Sequence, residues 1–200
     1  MTDSPRPRGN KRERTRQALI AAASEIIAER GFAGASLEAI ARRAGVTRGS
    51  IYSNFEDRDA LLMAAAISQG MTLDRDFSAK MPLQAQLRRF AETLLDQLPM
   101  AAGGGGMVIE YQLYAMSQPK LRQKLAEIYQ GMFQKMAAPI ADQYEEQLGI
   151  TAHALALAVQ AMAMGLTWQF MLTPGAVRRG DVIEAFEALA VGAAALREAP

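Results

Sequence analysis

The chain has 200 residues, half of them apolar and 22% charged, enough for one domain or two small ones with a buried core. It has no cysteine and a single histidine, His153. Disulfides, thiolate metal sites, cysteine nucleophiles and histidine-rich metal sites are therefore excluded, and no cofactor is expected. The net charge of +1 hides an asymmetry, because residues 1–60 hold 11 Lys/Arg against 8 Asp/Glu while residues 61–200 hold 11 against 13.

In chain order, residues 1–10 read as a basic disordered arm. Arg6, Arg8, Lys11, Arg12, Arg14 and Arg16 make the N-terminal region a candidate polyanion contact. The segment lacks the apolar core of a signal peptide, so a cytoplasmic location is expected. A first helix is predicted from about Lys11 to Arg30, with Leu19, Ala22, Ala23, Ile26 and Ile27 on one buried face and Gly31 ending it. Ser36 reads as the N-cap of a second helix whose Leu37, Ile40, Ala41 and Ala44 point inward. Gly45 suits a left-handed turn, Val46 plugs it, and Thr47 can cap a third, short helix. Asp57 is placed to cap a fourth. Two short helices joined by a glycine turn and packed on a longer one form a helix-turn-helix unit, expected over residues 11–56, with a connecting helix over 57–80.

Residues 81–200 read as a second all-helical domain. Leu87, Phe90, Leu94 and Leu98 mark a helix ending near Pro99. Gly103 to Gly106 form a loop. Met107, Glu110, Tyr111 and Tyr114 share a face of the next helix, and Leu125, Ile128, Met132 and Met136 are the expected stripe of a long helix from Pro119. Thr151 caps a segment to about Leu172, which is close to membrane-spanning length. Its alanines, His153, Gln160, Thr167 and Gln169 favour a buried soluble helix with no membrane role. Asp181 is expected to cap the last helix. Both final helices are rich in alanine, which permits close helix approach.

The chemistry concentrates in the third helix. Ile51 and Phe55 face the core, while Thr47, Arg48, Gly49, Ser50, Tyr52, Ser53 and Asn54 form a polar face. In a helix-turn-helix unit that face enters the major groove. Arg48 can reach guanine bidentately, Gly49 permits close approach, and Thr47 and Ser50 can bond bases or phosphates. Tyr52 and Arg58 suit the phosphate backbone. By spacing alone, an ordinary solvated helix face remains the alternative.

The block SLEAIARRAGVTRGSIYSNFEDRDALL, preceded by ALIAAASEIIAERGF, resembles the DNA-binding domain of the TetR family of one-component regulators over roughly residues 11–65. The resemblance implies an all-α homodimer, with an N-terminal three-helix DNA-binding domain and a C-terminal ligand-binding and dimerisation domain. It also implies repression at a palindromic double-stranded operator, relieved by a small-molecule effector. Carried over by motif position, the DNA contacts are Ser36, Thr47, Arg48, Ser50, Tyr52, Asn54 and Arg58. Asn54 stands where many members have His, and Arg58 where many have Lys. The Ala-rich final helices correspond to the family's subunit interface.

An apolar or aromatic effector is expected, lined by Tyr111, Tyr114, Met164 and Trp168, since eleven of the twelve methionines lie beyond residue 60 and suit an adaptable pocket. No enzymatic role is expected. The glycine run lacks both the Lys-Ser/Thr and the preceding strand of a phosphate-binding loop. A regulator controlled by a protein partner and a helical enzyme are the other readings.

Overall fold

The computed structural model describes residues 8–68, 77, 79–100 and 106–197. Among the described residues the chain is helical, with no strand. The α-helices run α1 (Arg8–Gly34), α2 (Leu37–Arg43), α3 (Arg48–Tyr52), α4 (Arg58–Ser68), α5 (Leu83–Met100), α6 (Gly106–Met116), α7 (Pro119–Tyr144), α8 (Ala152–Leu172) and α9 (Arg179–Ala195). They fall into two compact units. The first comprises Met1–Gly70 and Gly105–Arg122, and the second Met71–Gly104 and Gln123–Pro200.

In the first unit α1 supplies the core face that its period implies, with Leu19, Ala22, Ala23, Ile26 and Ile27 all buried. The helix begins at Arg8, so part of the expected arm is helical, and residues 1–7 lie outside the described residues. Gly31 breaks α1 with φ 67° and ψ 173°, a backbone that other residues adopt only with strain. The break turns Phe32 into the core. Ser36 caps α2 by accepting from the Ala39 amide at 3.2 Å, and Asp57 caps α4 by accepting from the Ala60 amide at 2.6 Å. The expected connecting helix is shorter than residues 57–80: α4 ends at Ser68, residues 69–76 and 78 lie outside the described residues, and Lys80 to Pro82 are not helical. Within this unit α6 packs on α1 and α4.

The second unit is built on α5 and α9. Leu87, Phe90, Leu94 and Leu98 of α5 are buried with Val182, Phe186, Ala190 and Ala193 of α9. Phe90 lies 5.9 Å from Phe77 and 5.4 Å from Phe186 between ring centroids. Arg88 to Glu187 at 2.8 Å and Arg179 to Asp96 at 3.0 Å tie the same two helices at the surface. The α7 stripe differs from expectation. Met136, Ile140 and Tyr144 are the buried residues in this unit, at helical i+4 steps, while Ile128 is exposed. Tyr144 donates its hydroxyl to the Met81 carbonyl and Gln143 its amide to the Phe77 carbonyl, which anchors the segment before α5. Thr151 caps α8 as expected. Asp181 does not cap α9: Arg178 occupies the N-cap, and Asp181 lies in the first turn and holds Arg178 at 2.7 Å.

The apolar α8 has the length and hydropathy to cross a membrane, yet Leu155, Ala156, Val159, Gln160, Ala163 and Thr167 are buried inside the unit. Its opposite face leaves Leu157, Met164, Trp168 and Leu172 exposed.

Gly149 joins α7 to α8 against the end of α9. Its amide donates to the Ala193 carbonyl at 2.8 Å, and a Cβ there would collide with the Leu196 and Arg197 backbone. Gly149→Ala should therefore destabilise the protein by about 1–3 kcal/mol, seen as a lower denaturation midpoint. Gly131, mid-α7 with open space around it, is the contrasting site, and Gly131→Ala should stabilise by roughly 0.5–1 kcal/mol.

Candidate DNA-recognition surface

A five-residue helix has no stability of its own, so α3 is held by what it packs against. Ile51 is fully buried and Phe55 nearly so. The Arg16 guanidinium from α1 lies 5.2 Å from the Phe55 ring centroid, and Arg12 donates to the Ser53 carbonyl at 3.1 Å. Gly45, at φ 66°, makes the turn between α2 and α3, closed by the Val46 amide donating to the Ala41 carbonyl at 3.0 Å. Arg43 fastens α2 to α1 through Glu25 and Glu29, each at 2.7 Å, and both carboxylates hold its proton more firmly than usual.

What remains outward is the polar face. Thr47, Arg48, Gly49, Tyr52 and Ser53 are exposed, and Ser50 and Asn54 are half-buried. Thr47 occupies the N-cap position of α3, but its hydroxyl bonds the Ser50 hydroxyl at 3.1 Å rather than a backbone amide. Around Gly49 the nearest side-chain atom to an added Cβ would be Thr47 Oγ1 at 3.8 Å, so the surface is open there. Ser53 donates to the Gly49 carbonyl at 3.0 Å. Arg48 forms an ion pair with Glu38 at 2.7 Å and donates to the Tyr52 hydroxyl at 3.4 Å. Both interactions raise its pKa, the Tyr52 bond more than the Glu38 charge.

Three expectations need correction. Arg58 does not present its guanidinium to a phosphate. It is half-buried and donates to the Ala35 carbonyl at 3.0 Å, to the Phe32 carbonyl, and to the Tyr114 hydroxyl at 3.2 Å. The carbonyls freed where the chain breaks between α1 and α2 take up its donors. Asn54 donates its amide to the Ser50 carbonyl at 2.7 Å, and its Oδ1 is buried without a partner. Its amide nitrogen is thus engaged within α3 and its C-terminal turn, and its oxygen is buried rather than outward.

The third correction concerns the expected effector residues. Tyr111 and Tyr114 belong to the first unit, where their rings flank Phe32 at 5.4 and 5.8 Å. Burial, then the Asp59 and Asp57 charges, push the Tyr111 hydroxyl's pKa well above its ordinary value, and that hydroxyl has no partner. Met164 and Trp168 belong to the second unit and lie on the exposed stripe of α8. Periodicity could not reveal the Glu38–Arg48 pair, because its partners lie on different helices.

Residues 19–65 match the model of the bacterial regulatory proteins of the TetR family. The HTH-type transcriptional regulator SrpR of Pseudomonas putida is 36% identical over 84 residues, which cover 42% of this chain and 39% of that protein. Over residues 19–65 this chain is thus similar to the DNA-binding part of the TetR family. The aligned part spans well under two thirds of that relative. Two solved structures match over nearly the whole chain. NalD, the secondary repressor of the MexAB-OprM multidrug efflux pump in Pseudomonas aeruginosa, aligns with TM-score 0.64 and 22% identity, covering 92% of this chain and 97% of that one. FadR from Bacillus subtilis in complex with stearoyl-CoA aligns with TM-score 0.63 and 20% identity, covering 90% and 98%. At such identities these likenesses establish the fold.

The Arg58 geometry makes a stability prediction. Arg58→Ala removes three bonds from a charged donor and leaves two backbone carbonyls short of partners. It should cost about 1–3 kcal/mol in chemical denaturation. A variant as stable as the parent would contradict this anchoring role.

Proposed function

We propose that this chain is a TetR-family regulator that represses transcription by binding a palindromic operator as a homodimer, and that a small apolar or aromatic effector releases it. The observation that carries the DNA-binding part is the α3 surface. A helix whose apolar side is pinned by Ile51 and Phe55 presents Thr47, Arg48, Gly49, Ser50 and Tyr52 outward. Arg48 is the base-reading residue, and Tyr52 and Ser36 serve the backbone. To test this, bound fragments would be selected from random DNA, and Arg48→Ala measured on the selected site. It should lose about 1–3 kcal/mol of binding and relax the preferred sequence. An unchanged preference would remove Arg48 from base reading.

Dimerisation is assigned to the second unit. On α8 the exposed Leu157, Met164, Trp168 and Leu172 recur at helical spacing, and α9 exposes Ala185, Ala188, Val191 and Ala195 in the same way. A shallow groove of about 540 Å³ along α9 is lined by Ile150, Leu189, Ala193 and Leu196 among others, and is almost wholly apolar. Apolar faces of this kind mark subunit contacts. A two-fold dimer would place two reading helices roughly 34–36 Å apart, one turn of B-DNA. Ala188→Glu should give a monomer in light scattering and weaken operator binding. Trp168, the sole tryptophan, should report the same dissociation by its emission on dilution.

The effector is assigned to the second unit. Support comes from the family's regulatory character and from the stearoyl-CoA held by the Bacillus subtilis neighbour. Gln86 is the polar group proposed to meet it: the residue is 2% exposed, and neither amide atom has a partner. Buried amides without partners are costly unless something completes them. Compounds screened for release of the selected DNA should act more weakly on Gln86→Leu, while operator binding stays intact.

A further inference from the structure

The pairing of Glu38 with Arg48 joins the first turn of α2 to the first residue of α3, across the helix-turn-helix turn. Arg48 Nη1 forms an ion pair with Glu38 Oε1 at 2.7 Å. Its Nη2 donates to the Tyr52 hydroxyl at 3.4 Å, and its guanidinium carbon lies 6.0 Å from the Tyr52 ring centroid. Both partners are exposed side chains on the surface assigned to DNA. Other arginines of this unit brace one element against another: Arg12 reaches the Ser53 carbonyl, Arg16 the Phe55 ring, Arg43 the surface carboxylates of Glu25 and Glu29 on α1, and Arg58 the Phe32 and Ala35 carbonyls. These four hold the fold, whereas Arg48 is held between two outward groups.

A carboxylate at the first turn of α2 suits the helix dipole, but that role requires no contact with Arg48. Near DNA the same charge opposes the phosphates, so it weakens binding to every sequence. Its compensating effect is on Arg48. A free arginine side chain is flexible and takes a phosphate oxygen as readily as a base. Paired with the Glu38 charge and bonded to the Tyr52 hydroxyl, the guanidinium is held in direction, and its remaining donors form a fork suited to the paired acceptors of guanine.

We propose that Glu38 is a specificity-determining positioning residue, which orients Arg48 for guanine and keeps it from capture by phosphate. This rests on the DNA-binding reading above. In effect Glu38 trades affinity for discrimination, since it penalises all DNA and spares the site where Arg48 finds a bidentate acceptor.

The test compares parent, Glu38→Gln, Arg48→Ala and the double variant in the full chain. Each is titrated with the DNA selected by the parent and with an unrelated duplex of equal length at one salt concentration. Glu38→Gln should bind the unrelated duplex about threefold tighter or more. Its ratio of selected to unrelated affinity should fall by about tenfold for two half-sites, near the upper range for exposed ion pairs. In the Arg48→Ala background the same substitution should leave that ratio unchanged. A ratio unaffected by Glu38→Gln, or affected equally with and without Arg48, would overturn the proposal while leaving DNA binding standing. A role confined to α2 stability would move the thermal midpoint and not the ratio. A parent chain that binds neither duplex would overturn the DNA-binding reading itself.

Discussion

The recognition surface depends on one packing constraint: α3 is too short to persist unless Ile51 and Phe55 are buried. Their burial against α1 sets which way the rest of the helix faces, because side chains at successive positions are rotated by a fixed angle about its axis. Once Ile51 points in, Gly49 and Ser53 must point out, and Tyr52 and Arg48, the first residue of the helix, lie exposed beside them. Arg16 over Phe55 and Arg12 on the Ser53 carbonyl close the seam with charged groups, so water has little access to the apolar contact. The polar face is thus a consequence of the apolar one.

A second arrangement links the two ends of the first unit. Arg58 opens α4, gathers the carbonyls of Phe32 and Ala35 where α1 breaks, and reaches Tyr114 on α6. Phe32 itself lies between Tyr111 and Tyr114. The end of α1 at Gly34 leaves carbonyls without helical partners, and a buried carbonyl demands a donor. An arginine with several donors in a planar fork serves more than one at once. A movement of α6 would therefore be felt at the end of α1 and the start of α4.

In the second unit, specificity of packing comes from volume rather than charge. Phe90 meets Phe77 and Phe186, while alanines on α8 and α9 let neighbouring backbones approach. Gly149 shows the limit of that approach, since even a methyl group would not fit against the end of α9. The apolar residues left outside, Trp168 and Leu172 among them, stay exposed when this packing is complete.

Much of this was legible in the sequence, because it rests on local rules. The spacing of Leu19, Ile26 and Ile27, the caps at Ser36, Asp57 and Thr151, and the glycine turn at Gly45 depend only on residues a few positions apart. Periodicity and capping chemistry report such features directly. The outward set on α3 followed from the same arithmetic once Ile51 and Phe55 were placed inside. What the tertiary structure alone decided were the partners of long polar side chains. Arg58 has the length and charge of a phosphate ligand, and nothing local tells that the Phe32 and Ala35 carbonyls, more than twenty residues earlier, claim it first. Tyr111 and Tyr114 have the amphipathic character of pocket residues, and only the placement of α6 in the first unit puts them against Phe32. Glu38 reads as a helix-end carboxylate until the turn at Gly45 brings it to Arg48. Helix formation is set by neighbours in sequence, whereas the direction of a flexible charged side chain is set by whichever unsatisfied group the fold brings within reach.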